Sequence, residues 1–460
     1  TLKYADILIL GEMNMSKALK PSMFNYLCKD EQQLILYNSF IGTKSIAKVS
    51  DCNKVEVENL LSQSLIDEVS FNNITDTLFE MGFLIPADEN EKLKREFLFS
   101  QFVNDDTLDL VITLTEKCNF VCKYCAQDFA KGKMSEIVQD QIIQFVKKNI
   151  NKYSKLRVEW FGGEPLLCKD IIKKLSESFI DICRKARKGY SAAITTNGYL
   201  LDINTFRMLY DNKVIAYQIT LDGLKKNHDK QRCLSNQKGT FDKILSNLLD
   251  IKNTTSSAAF RINIRTNFTK DIVDNIEDYL SFYQDQFIGD NRFVFFARAA
   301  EDWGGERVKG FEGLLNANEQ HTLLEKIYNK NPKIDFYVNY SFLEPTSTVC
   351  HAVHKNMFNI GCDGKVYKCD SSIELACIGE ICAGGKMVLD EYKMALWSCG
   401  TRYTSLECDE CFFSCSCIKG GCPLDIVKGY DREKYRCSFE KYNIDALLKM
   451  FASTENIRLI

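Results

Sequence analysis

Between residues 108 and 330, short apolar runs rich in β-branched residues alternate with longer segments of helical periodicity. This alternation is typical of β/α units, in which helices cover a central sheet of parallel strands. The predicted strands are Leu108–Leu114, Leu156–Phe161, Ala192–Thr196, Val214–Leu221, Phe260–Thr266 and Arg292–Ala297. The predicted helices are Glu136–Asn149, Ile171–Ala186, Phe241–Ile251, Ile272–Phe282 and Glu319–Asn329. Six such units predict an α/β fold in the form of an open, partial (β/α)6 barrel.

Three cysteines follow the first predicted strand with C-x3-C-x2-C spacing, at Cys118, Cys122 and Cys125. Parallel sheets bind ligands at the carboxyl ends of their strands, which is where this triad lies. A cubane [4Fe-4S] cluster takes four ligands, so three thiolates leave one iron open for a substrate or cofactor. The alternatives are a zinc site, although zinc usually takes a closed set of four ligands, and a chance triad of thiols in a chain with 20 cysteines.

Polar residues and glycines follow the other predicted strands. The residues of interest there are Gly162, Gly163, Glu164, Thr196, Gln218 and Arg265. Glycine lets the backbone approach a ligand closely, and a carboxylate can accept a hydrogen bond from an ammonium group. Turn formation is the alternative interpretation, because Asn-Gly and Asp-Gly pairs are common in turns and Gly-Gly also forms them.

The triad, the aromatic Tyr124 before its last cysteine, and the Gly-Gly-Glu-Pro motif at residues 162–165 resemble the radical S-adenosylmethionine (SAM) superfamily. The resemblance implies that the triad binds a [4Fe-4S] cluster whose open iron is chelated by the amino and carboxylate groups of SAM. A partial (β/α)6 barrel is also implied. In this family the reduced cluster cleaves SAM to methionine and a 5′-deoxyadenosyl radical, which abstracts hydrogen from the substrate.

The same resemblance implies which residues contact SAM. Gly162, Gly163 and Glu164 are expected to hold its amino group. The other residues expected at the cofactor are Tyr124, Thr196, Gln218 and Arg265. Asp222 is a weaker candidate. No acid–base residue is assigned, and the histidines at 228, 321, 351 and 354 are expected to have structural or supporting roles.

The last quarter of the chain is rich in cysteine, with twelve of the 20 cysteines between Cys350 and Cys437. Its spacings resemble the SPASM extension of radical SAM enzymes that modify peptides, which binds two auxiliary [4Fe-4S] clusters. The ligands implied for one cluster are Cys408, Cys411, Cys417 and Cys437, and those implied for the other are Cys350, Cys369 and Cys422, with Cys362 as the nearest fourth candidate. The fourth position is alternatively vacant, open to a substrate thiolate.

Two features of this array leave alternatives open. Cys422 departs from the SPASM spacing by one residue, and Cys415 is an alternative ligand. A pair of zinc ribbons is the alternative to two clusters. The Asp363-Gly364 pair predicts a β-hairpin turn between the first cysteines of the array.

The first hundred residues predict a small winged-helix-like unit. The predicted elements are strands Leu34–Asn38, Ser45–Val49 and Phe83–Pro86, helices Lys54–Ser64 and Ile74–Met81, and a linker helix over Asp88–Arg95. The position of this unit resembles that of leader-peptide recognition domains, in which a leader adds a strand to an exposed sheet edge. A domain that packs on the barrel and binds nothing is the alternative. The expected domains are residues 1–105, 106–335 and 336–460.

Composition narrows the class of partner. The net charge of −3 and the scattered Lys and Arg residues give no footprint for nucleic acid or an acidic membrane surface. Without an apolar stretch of about 18 residues or a signal peptide, we expect a cytoplasmic protein whose cysteines are metal ligands. The expected partners are a precursor peptide with a leader and an electron donor such as flavodoxin or ferredoxin.

The resulting functional hypothesis is a radical SAM maturase that installs a crosslink in a ribosomally made peptide. A Cys thioether of the sactipeptide or ranthipeptide type is favoured. The alternatives are a carbon–carbon crosslink between side chains, sulfatase-type formylglycine maturation, and, outside enzymes, an iron–sulfur carrier.

Overall fold

The computed structural model describes residues 18–460 except 30–32, 128–129, 256–258, 288, 301, 303–306, 317–318, 321, 324–325, 328–340, 370–372, 401–405, 418–421, 429–436 and 438. Residue 321 and part of the predicted helix over 319–329 therefore lie outside the described residues. The strands are β1 (Ala18–Pro21), β2 (Asn25–Lys29), β3 (Leu34–Asn38), β4 (Gly42–Val49), β5 (Ile66–Asp67), β6 (Leu84–Pro86), β7 (Thr107–Thr113), β8 (Lys155–Phe161), β9 (Gly189–Thr196), β10 (Val214–Thr220), β11 (Arg261–Phe268), β12 (Phe293–Ala299), β13 (Met357–Ile360), β14 (Lys365–Tyr367), β15 (Cys377–Cys382), β16 (Lys386–Leu389) and β17 (Arg458–Leu459).

The α-helices are numbered in the same way. They are α1 (Lys54–Ser62), α2 (Asn73–Glu80), α3 (Glu91–Val103), α4 (Glu136–Asn149), α5 (Lys169–Ala186), α6 (Ile203–Asp211), α7 (Lys225–Gln231), α8 (Phe241–Thr254), α9 (Lys270–Val273), α10 (Ile276–Phe287), α11 (Ile373–Ala376), α12 (Glu391–Ala395), α13 (Leu406–Asp409), α14 (Ser414–Cys417), α15 (Pro423–Val427), α16 (Phe439–Tyr442) and α17 (Ile444–Thr454). In the described residues no helix is long and apolar enough to cross a bilayer.

A ten-stranded sheet forms the centre of the protein, in the order β12-β11-β10-β9-β8-β7-β13-β14-β15-β16. Strands β7 to β12 all pair in parallel. The prediction of a partial (β/α)6 barrel is confirmed, and each predicted strand matches an observed one to within a few residues. All six strands therefore present their carboxyl ends along one edge.

The sequence pattern explains how these strands are buried. On β8, Leu156, Val158 and Trp160 are fully buried, whereas the residues between them are exposed or half-buried. On α5, Leu175 and Phe179 pack into the same core, and Phe179 stacks on Trp160. One face of the sheet thus packs against helices, and its other face carries the polar residues of the barrel interior.

The cysteine-rich segment continues the central sheet. Strand β13 pairs in parallel with β7, and β14, β15 and β16 follow as antiparallel neighbours. Gly364, with φ +82°, turns the chain between β13 and β14, so the predicted Asp-Gly hairpin is confirmed. The extension therefore joins the barrel at the strand that leads into the cysteine triad.

The N-terminal residues, together with β17 from residues 458–459, form two small sheets, in the orders β5-β1-β6 and β17-β4-β3-β2. The predicted strands and helices of this unit are present, and the linker helix is longer than predicted, over Glu91–Val103. The sequence analysis missed β1, β2, β5 and β17. Tyr37 and Ile46 pack against Leu343, Phe413 and Leu447, so this unit contacts the C-terminal extension.

Candidate active site

The loop that carries the triad is held at the carboxyl edge of the parallel strands by backbone hydrogen bonds on two sides. On one side, the N–H of Gly163 donates to Thr115 (2.9 Å). On the other, the N–H of Val121 donates to the Cys233 carbonyl (2.9 Å) and that of Lys123 to the Gln231 carbonyl (3.1 Å). The end of α7 and the residues just after it therefore fix the loop between the first and last cysteines.

The triad thiols lie in a poorly solvated place. Cys122 is buried, and Cys118 and Cys125 are half-buried. Burial raises the pKa of Cys118 to about 12 and that of Cys122 to about 11. Iron binding would therefore displace a proton from the thiols of Cys118 and Cys122. Nowhere in the described residues do three His, Cys, Asp or Glu side chains form a single-ion site.

Gly162 and Gly163 lie against the backbone that leads into the triad. A Cβ atom at Gly162, where φ is +136°, would lie 2.2 Å from the Thr115 carbonyl oxygen. A Cβ atom at Gly163 would lie 2.3 Å from the Glu116 carbonyl oxygen. The described structure thus requires glycine here for close approach between two backbone segments, and this contact brings the end of β8 against the triad loop.

The Glu164 carboxylate is fully buried and joins two strand ends. One oxygen accepts from the Thr196 hydroxyl (2.7 Å) and from the Leu166 N–H (2.9 Å), and the other accepts from the Asn197 N–H (2.8 Å). Burial raises the pKa of Glu164, and these three donors oppose the rise. Its contact with a SAM amino group stays a prediction, as does the role of Thr196 at SAM.

Asn197 is a site residue that the sequence analysis missed. Its side-chain amide donates to Asn119 (2.7 Å) inside the triad loop and lies 3.9 Å from the Cys118 sulfur. The only signal in the sequence was its position at a strand end, where an Asn-Gly pair equally indicates a turn.

Tyr124 is the centre of a buried polar network. Its hydroxyl donates to the Asp222 carboxylate and accepts from Arg232 Nη1 (2.8 Å) and from the Asn267 side chain (3.2 Å). Asp222 also accepts from the Asn267 N–H (2.8 Å). The sequence analysis had named Tyr124 and Asp222 but missed Arg232 and Asn267, which lie on elements far along the chain.

Gln218 and Arg265 lie on the interior face of the barrel. Arg265 is opposite Thr220 in the β10–β11 ladder, two positions from Gln218, so both side chains lie on one face. Both are half-buried, and Arg265 Nε donates to Asn267 (2.8 Å). Glu159 and Thr195, which the sequence analysis missed, join this polar face through a hydrogen bond of 2.9 Å.

The cysteines of the extension fall into two regions. Cys350, Cys369 and Cys422 pack against the core of the central sheet, whereas Cys411 and Cys417 pack against the N-terminal unit. Burial lowers the pKa of Lys441, but the nearby thiols of Cys411 and Cys437 outweigh it and raise the pKa to about 12. The two ligand sets, including the roles of Cys408 and Cys437, stay predictions.

Cys362 and Cys415 occupy different surroundings. Cys362 lies beside a group of charges, in which Lys131 pairs with Asp363 (3.0 Å) and Glu116 (3.5 Å) and ties the β13–β14 hairpin to the triad loop. Cys415 is fully buried in an apolar cluster with Phe24 and Leu98. Whether either binds iron stays a prediction.

Comparison with known proteins gives the following. Residues 112–280 match the Radical SAM superfamily. The chain is 27% identical over 224 residues to a GTP 3',8-cyclase of Campylobacter fetus, covering 48% of this chain and 63% of that protein. It is 25% identical over 304 residues to the radical SAM cyclopropyl synthase TigE of Paramaledivibacter caminithermalis, covering 58% and 62%. The chain therefore spans about three fifths of the length of these curated relatives.

Among solved structures, anSMEcpe with bound AdoMet and Kp18Cys peptide superposes with a TM-score of 0.58 at 18% identity, covering 75% of this chain and 96% of that one. SuiB of Streptococcus suis bound to the precursor peptide SuiA superposes with a TM-score of 0.52 at 15% identity, covering 92% and 99%. At these identities the likeness is one of fold.

Proposed function

We propose that the protein uses a [4Fe-4S] cluster and SAM to install a crosslink in a ribosomally made precursor peptide. The premise is that this chain belongs to the radical SAM superfamily through residues 112–280. The position of the triad loop carries this proposal. It lies at the carboxyl edge of six parallel strands, where α/β folds bind their ligands, and it is pinned there on both sides.

The residues at this edge are of the types that a [4Fe-4S] cluster and SAM require. Cys118, Cys122 and Cys125 would hold three irons of the cluster and leave one for SAM. The polar barrel face with Gln218 and Arg265 would orient SAM, and the core behind it would exclude water. When bound, the reduced cluster and SAM supply a 5′-deoxyadenosyl radical that abstracts hydrogen.

We propose further that residues 336–460 hold two auxiliary clusters that accept the second electron of the oxidation. The separation of Cys350, Cys369 and Cys422 from Cys411 and Cys417 supports two sites. A thiol loses its proton when it binds iron, so an open auxiliary site would both hold and activate a substrate cysteine. This supports a Cys thioether as the product.

For the substrate, we propose a precursor peptide whose leader binds residues 1–105, with the chemistry in residues 106–335. SuiB with its precursor peptide and anSMEcpe with its peptide are neighbours in fold. A flavodoxin or ferredoxin in the cytoplasm is the proposed source of electrons.

Anaerobic reconstitution with iron and sulfide, followed by SAM and dithionite, tests the radical chemistry. We expect 5′-deoxyadenosine from the wild type and none from the C118A/C122A/C125A variant. A fully loaded, reducible wild type that makes no 5′-deoxyadenosine would instead support an iron–sulfur carrier.

A second experiment identifies the product. The peptide encoded by the small open reading frame beside the gene is incubated with the enzyme, alkylated at free thiols and analysed by mass spectrometry. We expect a loss of two hydrogens and of one alkylatable cysteine. A loss of two hydrogens with every thiol retained would indicate a carbon–carbon crosslink, and conversion of cysteine to an aldehyde would indicate formylglycine.

A further inference from the structure

We propose that Arg232 is a positioning residue of the triad cluster, which fixes Tyr124 beneath the loop and donates its Nε–H to a sulfur of the cluster on the Cys122 side. This rests on the proposed function only in requiring that the triad binds an iron–sulfur cluster.

The fold holds Arg232 directly under the triad loop. The carbonyls of its two neighbours, Gln231 and Cys233, accept the hydrogen bonds from Lys123 and Val121 described above. Its guanidinium lies 5.8 Å from the centre of the Phe120 ring. Because Arg232 is only 7% exposed, its donors need partners inside the protein.

One of these donors lacks a partner. Nη1 donates to Tyr124, but the buried Nε–H meets no acceptor among the described residues. Buried N–H groups of native proteins are nearly always paired, so the Nε–H indicates an acceptor that the polypeptide does not provide. The Arg232 donors also differ from those of Arg157, whose Nε and Nη2 both donate to Asp109.

The backbone indicates where that acceptor lies. The residues on either side of Arg232 accept hydrogen bonds from Val121 and Lys123, the residues on either side of Cys122, so the chain pairing places Arg232 opposite Cys122. The bond from Nη1 to Tyr124 holds the guanidinium on this side of the loop. The Cys122 sulfur becomes an anionic hydrogen-bond acceptor once it binds iron.

A cation that donates a hydrogen bond to a cluster sulfur favours the reduced, more negative cluster. Hydrogen bonds to the sulfurs and the net charge nearby are among the main determinants of iron–sulfur potentials. Arg232 should thus make the triad cluster easier to reduce. The carboxylates of Asp222 and Glu164 face Arg232, and His228 is a neutral neighbour.

An EPR-monitored redox titration tests this inference, with the triad cluster identified by the change of its signal on SAM addition. In Arg232→Gln, we expect about a tenfold shift of the reduced-to-oxidised ratio toward the oxidised cluster at a fixed potential, which is 59 mV for one electron. Arg232→Lys keeps the charge but loses the Nε–H, so we expect a shift of about threefold in the same direction. Arg157→Gln, at the opposite end of the strands, is the matched control and should leave the ratio unchanged.

An unchanged ratio in both Arg232 variants overturns the inference, whatever their stability. If Arg232→Gln binds no iron, the reduced-to-oxidised ratio of Arg232→Lys decides, and an unchanged ratio in that variant overturns the inference. These outcomes differ from a failure of the proposed function, which would be visible in the wild type as absence of 5′-deoxyadenosine.

Discussion

His228 is a buried histidine that its neighbours hold in the neutral form. Its Nδ1 accepts from the Asp222 N–H (3.1 Å), so the proton lies on Nε2, which donates to the Thr240 hydroxyl (3.1 Å). Burial, reinforced by the Arg232 cation, holds the pKa of His228 well below its usual value. This histidine thus supports the turn that places Asp222 beside Tyr124.

We predict that His228 makes the cluster-free protein less stable in acid. Below about pH 6.5 the unfolded chain binds a proton at this residue and the folded chain does not, so the free energy of unfolding falls by up to about 1.4 kcal/mol per pH unit. Urea denaturation of the wild type and His228→Asn should give a difference that is constant above pH 7 and changes below pH 6.5. His354, whose pKa burial lowers to about 4, contributes equally to both proteins. A pH-independent difference would contradict the prediction.

At the scale of single residues, the sequence predicted the supporting role of His228 but not its partners. The Asp222 N–H and the Thr240 hydroxyl meet the ring only because α7 and its flanking turns fold back on each other. Arg232 was missed for the same reason. No local pattern marks a cation whose partners lie in separate loops.

Regular elements were the most predictable part of the chain. The six barrel strands and the Asp363-Gly364 hairpin follow from apolar periodicity and turn chemistry, which are local. Strand β17 has two residues and pairs with β4 across almost the whole sequence, so no local signal exists for it. The glycine motif was predicted from the sequence. Its contact with the backbone of residues 115–117 was not, because that contact depends on how two strand ends meet.

We predict that Gly163→Ala disrupts this junction between the β7 and β8 ends. The added Cβ would collide with backbone, which cannot rotate away as a side chain can, so the Thr115–Lys117 segment before Cys118 must move. We expect a loss of at least about 2 kcal/mol in the free energy of unfolding and less iron bound per chain after reconstitution. Urea denaturation and iron analysis measure these effects.

Gly132→Ala is the matched control for that variant. Gly132 lies in the loop between β7 and α4 that carries the triad, and a Cβ there meets nothing within 4 Å. Equal stability and iron content in the two alanine variants would show that the junction tolerates displacement.

Across the whole molecule, the N-terminal unit and the cysteine array are parts of one packed assembly. Arg95, on α3, is 1% exposed and donates to the Asp409 carbonyl (3.1 Å), the Asp409 carboxylate (3.2 Å) and the Ser414 hydroxyl (3.1 Å). Tyr37 donates to the Leu343 carbonyl (2.7 Å). The segment that contains Cys408 to Cys417 is thus positioned by residues from the first hundred.

We predict that Arg95→Met destabilises the protein by about 2 kcal/mol, because it leaves the buried Ser414 hydroxyl and the half-buried Asp409 acceptors without their donor. Lys92→Met is the control on the same helix, since its pair with Glu410 is exposed and should contribute less than about 1 kcal/mol. Urea denaturation compares the two. Similar losses in both variants would show that the Arg95 contacts do not hold the extension.

Strand β17 occupies the edge of β4 and is held by backbone hydrogen bonds between Ile460 and residues 48 and 50. Any peptide that adds a strand at this edge must first displace a segment that is tethered to the same chain and therefore present at an effective concentration on the order of millimolar. The apparent affinity for such a peptide is the intrinsic affinity multiplied by the fraction of time for which the segment is detached. Strand β17 thus competes with any added strand for the edge of β4, and only a peptide that binds tightly enough to displace β17 can pair there.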